Sequence, residues 1–123
     1  MSGLLRVKRV YDPPEAADGR RFLVDRVWPR GVKKADLQIE AWLRDASPST
    51  ELRRWFDHDP LKWAEFKRRY CEELQERADA LRPLEEALER GETVTLLYAA
   101  RDTDHNNAVA LAECLRGRLG AEP

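Results

Sequence analysis

The sequence predicts a small three-layer α/β domain, and two observations carry that prediction. Three short segments, at 4–11, 21–28 and 93–100, are rich in Val, Leu and aromatic residues, as buried strands are. Between the second and third, and again after the third, apolar residues instead recur every three or four positions, which is helix spacing. With 123 residues, 42% of them apolar, the chain fits one compact domain, a single α/β core over about residues 4–117.

The first strand is "LLRVKRVY" and the second "RFLVDRVW". The connection between them, "DPPEAADGR" at 12–20, is too short for an ordinary crossover helix. A hairpin closed near Asp18-Gly19 and a parallel arrangement are both open on pattern alone. Nine extended residues reach about 30 Å, more than the roughly 20 Å length of a six-residue strand. Next, Ser47 or Ser49 caps a helix whose Leu52, Trp55 and Phe56 recur at i, i+3, i+4, and that helix is expected to bury its tryptophan. In "HDPLKW", Asp59 is placed as N-cap and Pro60 as the first helical residue, followed by Trp63, Phe66, Tyr70, Leu74, Ala78 and Leu81 on one stripe. Pro83 predicts a kink or a fresh start, with Leu84, Ala87 and Leu88 running on to a stop at Gly91. The third strand, "TVTLLYAA", is nearly continuously apolar, as strands covered on both faces are. A last helix over about 106–116 carries Ala108, Leu111, Ala112 and Leu115.

Charged residues make up 37% of the chain but nearly cancel to a net charge of −1, so no global field draws it to nucleic acid or anionic lipid. The first residues hold no apolar run of signal-peptide length, and nowhere do 18 apolar residues follow one another, so a cytoplasmic protein without a membrane partner is expected. Cys71 and Cys114 lie inside helical segments without the spacing of a zinc knuckle or a redox pair, and are read as buried free thiols with no catalytic role. Two distant histidines provide no metal spacing, and there is neither a nucleophile elbow nor a glycine-rich phosphate loop. No motif names a cofactor, and nothing in the pattern fixes an oligomeric state.

"KRVYDPPEAADGRRFLVDRVWPRG", "PSTELRRWF", "HDPLKWAEF" and "VTLLYAARDTDHNNAVAL" resemble the YeaO-like branch of the domain-of-unknown-function 488 family. The resemblance covers about residues 7–115, and the run "DRVWPRG" is its most specific part. It implies a bacterial or archaeal cytosolic α/β protein with mostly parallel strands, and no established activity. In another branch the last strand ends in "LLCAE" and the helix starts with "CHR". Here Tyr98 stands at the first cysteine and Asn106-Asn107 near the second motif, so the resemblance implies no thiol chemistry for this chain.

With a mainly parallel sheet, ligands are expected outside the carboxyl ends of the strands. Those ends are Tyr11-Asp12, the stretch from Asp25 through Arg26, Trp28 and Arg30 to Gly31, and the stretch from Tyr98 through Arg101 to Asp102. Asp25 pairs with Arg26 and aims its guanidinium at an anion. Trp28, extended because it precedes Pro29, becomes an aromatic platform. Gly31 allows a positive φ that turns Arg30 and Lys33 or Lys34 back over the edge. Asn106 and Asn107 open a helix whose first N–H groups favour an anion, with Asp104 as an alternative cap. His58 counts as an acid/base candidate only if folding carries it to this edge.

The same residues also read as scaffold, with Arg26 neutralising Asp25, Trp28 covering the core, the asparagines satisfying a helix end and the basic loop simply solvated. Three functional classes follow. The first is a pocket for a small anionic ligand, a nucleotide or phosphorylated metabolite; whether it acts as an enzyme is open. The second is a nucleic-acid surface built from "LLRVKR", Arg20, Arg21 and "PRGVKK", which the near-neutral charge disfavours. The third is an interaction module using Trp42 or Trp63.

Overall fold

In the computed structural model, which describes residues 3–118, four parallel strands form one sheet. They are β1 (Leu5–Arg9), β2 (Arg20–Leu23), β3 (Ala41–Trp42) and β4 (Val94–Tyr98), in the spatial order β1-β4-β2-β3. β4 pairs on both sides, with Leu5 and Arg20 both opposite Val94. The hairpin alternative therefore falls, because β1 and β2 are not neighbours and β4 lies between them. β1 and β4 end two residues earlier than expected and β2 five, and the two-residue β3 escaped the sequence because "AW" is too short to show a period.

The link between β1 and β2 passes β4 with only a 3-10 turn at Ala16–Asp18. An ion cluster fastens it. Asp18 is fully buried and accepts from Arg21 Nη1 at 2.6 Å, Lys8 Nζ at 3.1 Å and the Glu15 N–H at 3.0 Å. Thr95 of β4 donates its hydroxyl to the Asp18 carbonyl at 2.7 Å. Burial alone raises the Asp18 pKa, but these hydrogen bonds and the neighbouring cations outweigh it and hold the carboxyl below its usual range. Gly19 follows at φ +64°, where a Cβ would come within 2.4 Å of the Thr93 carbonyl oxygen, so no side chain fits.

Alternation along the strands sends Phe22, Val94 and Leu96 to one face and Leu23 and Leu97 to the other. The first face carries the larger core, built from α2 (Thr50–Phe56), α3 (Trp63–Glu76), α4 (Ala78–Glu89) and α5 (Asn107–Arg118). The second face is covered more thinly by Leu37 of the one-turn α1 (Lys34–Leu37) together with Trp28, Val32, Ile39 and Trp42.

Local signals explain most helix ends. Ser49 caps α2, its Oγ accepting from the Leu52 N–H at 3.1 Å and donating to Glu73 at 2.6 Å. Asp59 accepts from the Leu61 N–H at 3.0 Å and, with Pro60, opens the short 3-10 turn that leads into α3. Gly91, at φ +83°, ends α4. Two expectations are corrected. Trp55 is only half-buried, lying under Arg69 and Lys62, while Phe56 takes the core position. The helical break falls at Arg77, not Pro83. Arg77 leaves helical geometry and donates to the Asp45 and Ser47 carbonyls, whereas Pro83 sits within α4 on an exposed face.

The cysteines also differ from expectation. Cys71 of α3 and Cys114 of α5 are joined in a disulfide, with Cα atoms 5.6 Å apart, and neither is free. Each stripe revealed which helix face is apolar; that α3 and α5 pack side by side was not written in either. Among the described residues no helix is long and apolar enough to cross a membrane.

Candidate functional site

Parallel pairing brings the ends of β2 and β4 side by side, and the chain beyond each end forms one wall of a cleft. Immediately past β2, Asp25 is clamped from two directions. Its Oδ2 accepts from the Ala99 N–H at 2.9 Å and its Oδ1 from Asn107 Nδ2 at 3.0 Å. The same Asn107 nitrogen donates to the Val24 carbonyl at 3.1 Å. Burial raises the Asp25 pKa, against the pull of the Asn107 and Ala99 hydrogen bonds and the charge of Arg53. The expected pair with Arg26 is not formed: Arg26 is exposed, and Asp25 takes its donors from the backbone and an amide.

The loop after Asp25 is held by its own contacts. Pro29 is buried, the Tyr11 hydroxyl donates to the Arg30 carbonyl at 3.0 Å, and Gly31 adopts φ +77°. No atom lies within 4 Å of a Cβ built on Gly31, so the positive φ alone calls for glycine. Trp28 donates to the Val32 carbonyl at 2.7 Å and meets Trp42 edge-on at 5.5 Å. Its indole is thus chiefly a cover for the second core, with only part of it at the cleft. Beyond β4, Asp102 accepts from the Asp104 and His105 N–H groups, and these bonds, with the His105 ring, hold its carboxyl below the usual range. Asn106, not Asp104, caps α5, its Oδ1 accepting from the Val109 N–H at 2.9 Å.

The cleft encloses about 670 Å³, within the range of small-molecule sites. Of the residues expected at the site, Tyr11, Asp25, Arg26, Trp28, Arg30, Asn106 and Asn107 line it. Three do not. Lys34 is exposed on α1, Arg101 is exposed elsewhere on the loop, and Tyr98 is buried in the larger core, where burial raises its pKa.

The opposite wall was not foreseen as a wall. It is α2 and the turn after it, bringing Arg53, Arg54, Asp57 and His58, with Phe56 and Phe66 beneath. "ELRRWF" shows an apolar stripe and an arginine pair, but nothing in it says that the helix stands opposite the strand ends. His58 does reach the edge. It and Asp57 occupy successive left-handed positions, at φ 55° and 46°.

The electrostatics are one-sided, with four arginines lining the cleft against two aspartates. Arg26, Arg30, Arg53 and Arg54 make no ion pair among the described residues, whereas the sheet arginines Arg20 and Arg21 are both paired. Among the described residues no cluster of His, Cys, Asp and Glu could hold a metal.

The parallel four-stranded sheet with helices packed on it makes this a small α/β domain. Its family follows from comparison: the model described as the inactive DUF488-N3 subclade matches residues 4–123, and the chain belongs to that family. It is 43% identical over 112 residues to the uncharacterised protein YeaO of Escherichia coli (strain K12), covering 91% of this chain and 96% of that protein. It is also 43% identical over 114 residues to the uncharacterised proteins Mb3100c of Mycobacterium bovis and Rv3073c of Mycobacterium tuberculosis, covering 93% of this chain and 95% of each. No solved structure matches the chain.

Proposed function

We propose that this protein binds a small anionic ligand, a nucleotide or phosphorylated metabolite, in the cleft at the carboxyl ends of β2 and β4. The observation that carries this reading is the convergence of Arg26, Arg30, Arg53 and Arg54 on one concavity without an ion-pair partner among the described residues. Like charges held together are costly unless a counter-charge joins them, and guanidinium groups suit phosphate and carboxylate forks. A binding role without turnover accords with a family described as inactive.

The nucleic-acid alternative draws less support. Arg20 is tied to Glu40 and Glu92, Arg21 to Asp18, and Lys8 to Glu15 and Asp18, so much of the basic stripe is neutralised from within. Trp42 and Trp63, the candidates for a partner surface, are half-buried and engaged: Trp42 donates to the Asp25 carbonyl at 2.7 Å, and Trp63 stacks on Phe66 at 5.7 Å.

Thermal denaturation with phosphate, sulfate and nucleotides tests the proposal. A ligand bound only by the folded state adds ~2.7 kcal/mol at about 100 times its dissociation constant. The increment should shrink in Arg30→Ala and Arg53→Ala, whose side chains make no hydrogen bond or ion pair among the described residues, while stability without ligand changes little. Identical responses of wild type and both variants would reject the cleft.

A further inference from the structure

Resting on that reading, we infer that the ligand is a phosphomonoester whose other end is a planar ring bearing N–H donors, as in a purine nucleotide, with its phosphate on the arginines and its ring edge on Asp25. The cleft offers two opposite kinds of partner. Arg26 and Arg30 of the loop after β2 and Arg53 and Arg54 of α2 are exposed, whereas Asp25 is half-buried.

Asp25 is not consumed by the fold. Each oxygen receives one protein hydrogen bond, from the Ala99 N–H and from Asn107, and a carboxylate oxygen has room for two. No cation pairs with it among the described residues, and it lines the cleft half-buried. The two scaffold bonds fix its orientation without saturating it. An occupant that presents only acceptors, such as sulfate, would face this carboxylate with like charge. One that strips water from Asp25 without returning donors loses the hydrogen bonds that water made.

Apolar residues complete the lining: Phe56 and Phe66, stacked at 4.3 Å, with Ala99 and Ala100 beyond the end of β4. A planar ring against them would turn its anion toward the arginines and its donors toward Asp25. Asp57 also lines the cleft, but it lies on the arginine side, at the end of α2.

Calorimetric titration of the full chain with inorganic phosphate, ribose 5-phosphate and guanosine monophosphate tests the inference. Wild type should bind guanosine monophosphate about tenfold or more tighter than ribose 5-phosphate, the worth of one hydrogen bond to a charged group. Asp25→Asn should retain the ribose 5-phosphate affinity and lose most of that preference. Arg53→Ala should weaken both ligands while keeping their ratio. Equal binding of the two by wild type overturns the inference even if Asp25→Asn does not fold, and so does a preference that survives in Asp25→Asn. Weak binding of every phosphate without discrimination removes the donor-bearing ring but leaves the anion site standing. No binding of any of the three removes both.

Discussion

Asn107, the first residue of α5, holds Asp25 and Val24 with a single amide nitrogen, at 3.0 Å to the carboxylate and 3.1 Å to the carbonyl. The helix is thereby fastened to the end of a strand more than eighty residues earlier in the chain. Asn107→Ala removes both bonds and leaves the partly buried Asp25 with one donor, a loss of about 1–3 kcal/mol. Asn107→Asp should cost more at neutral pH, because two carboxylates then meet. Chemical denaturation of the two variants checks the order.

Asp18 predicts an acid limb of stability. Its folded pKa lies below its unfolded value, so its contribution is fully present above the unfolded value of about 3.9 and is lost as pH falls through the folded one. Asp25 works in the other direction: its raised pKa means that protonation on acidification relieves a cost of the folded state. Asp18→Ala leaves Arg21 and Lys8 without their shared partner and should destabilise by about 3–5 kcal/mol. Unfolding followed from pH 7 to 2 should show the Asp18 limb in wild type and its absence in Asp18→Asn.

His58 sits at φ 55° with a full side chain, next to Asp57 at φ 46°. Left-handed backbone costs a residue with a Cβ about 1–2 kcal/mol, which glycine escapes at some cost in unfolded-chain entropy. His58→Gly is therefore expected to raise stability by about 0.5–1 kcal/mol. A thermal midpoint that falls would show that contacts of the ring, such as the one to Phe56, outweigh the backbone relief.

The Cys71–Cys114 bond closes a loop across a sequence separation of 43. Reduction, or Cys71→Ser with Cys114→Ser, should lower stability by roughly 2–4 kcal/mol. The native protein should resist thiol-labelling reagents until it is treated with a reductant. Since such bonds persist mainly in oxidising surroundings, the cytoplasmic expectation can be checked directly by trapping the thiol state in cells.

How far the fold was legible depended on whether the signal was local. The caps Ser49 and Asp59, the stop at Gly91 and the apolar run of β4 are local chemistry, and each was readable. The parallel pairing of β2 was not, because "DPPEAADGR" permits both topologies and only the family resemblance favoured one. The wall formed by the strand ends, with Asp25, Arg26 and Arg30, was legible once the sheet was taken as parallel. The wall formed by Arg53, Arg54 and His58 was hidden, since helix periodicity shows which face is apolar but not what the polar face looks across at. Likewise, Asp25 exchanged its sequence neighbour Arg26 for Asn107, a partner that only the packing of α5 supplies.

β4 is the last of the described strands and lies between β1 and β2 in the sheet. Among the described residues β1 pairs with no other strand, and β2 pairs otherwise only with the two-residue β3. A chain emerging from the ribosome therefore holds β1 without a sheet partner, and β2 with only β3 beside it, until residues 94–98 appear. Until then the edges of Leu5–Arg9 and Arg20–Leu23 are open to any other extended segment. The lysine and arginines of "LRVKR" and "RRFL" put repelling charge along those edges during the wait, before Asp18, Glu40 and Glu92 take up part of it in the finished sheet.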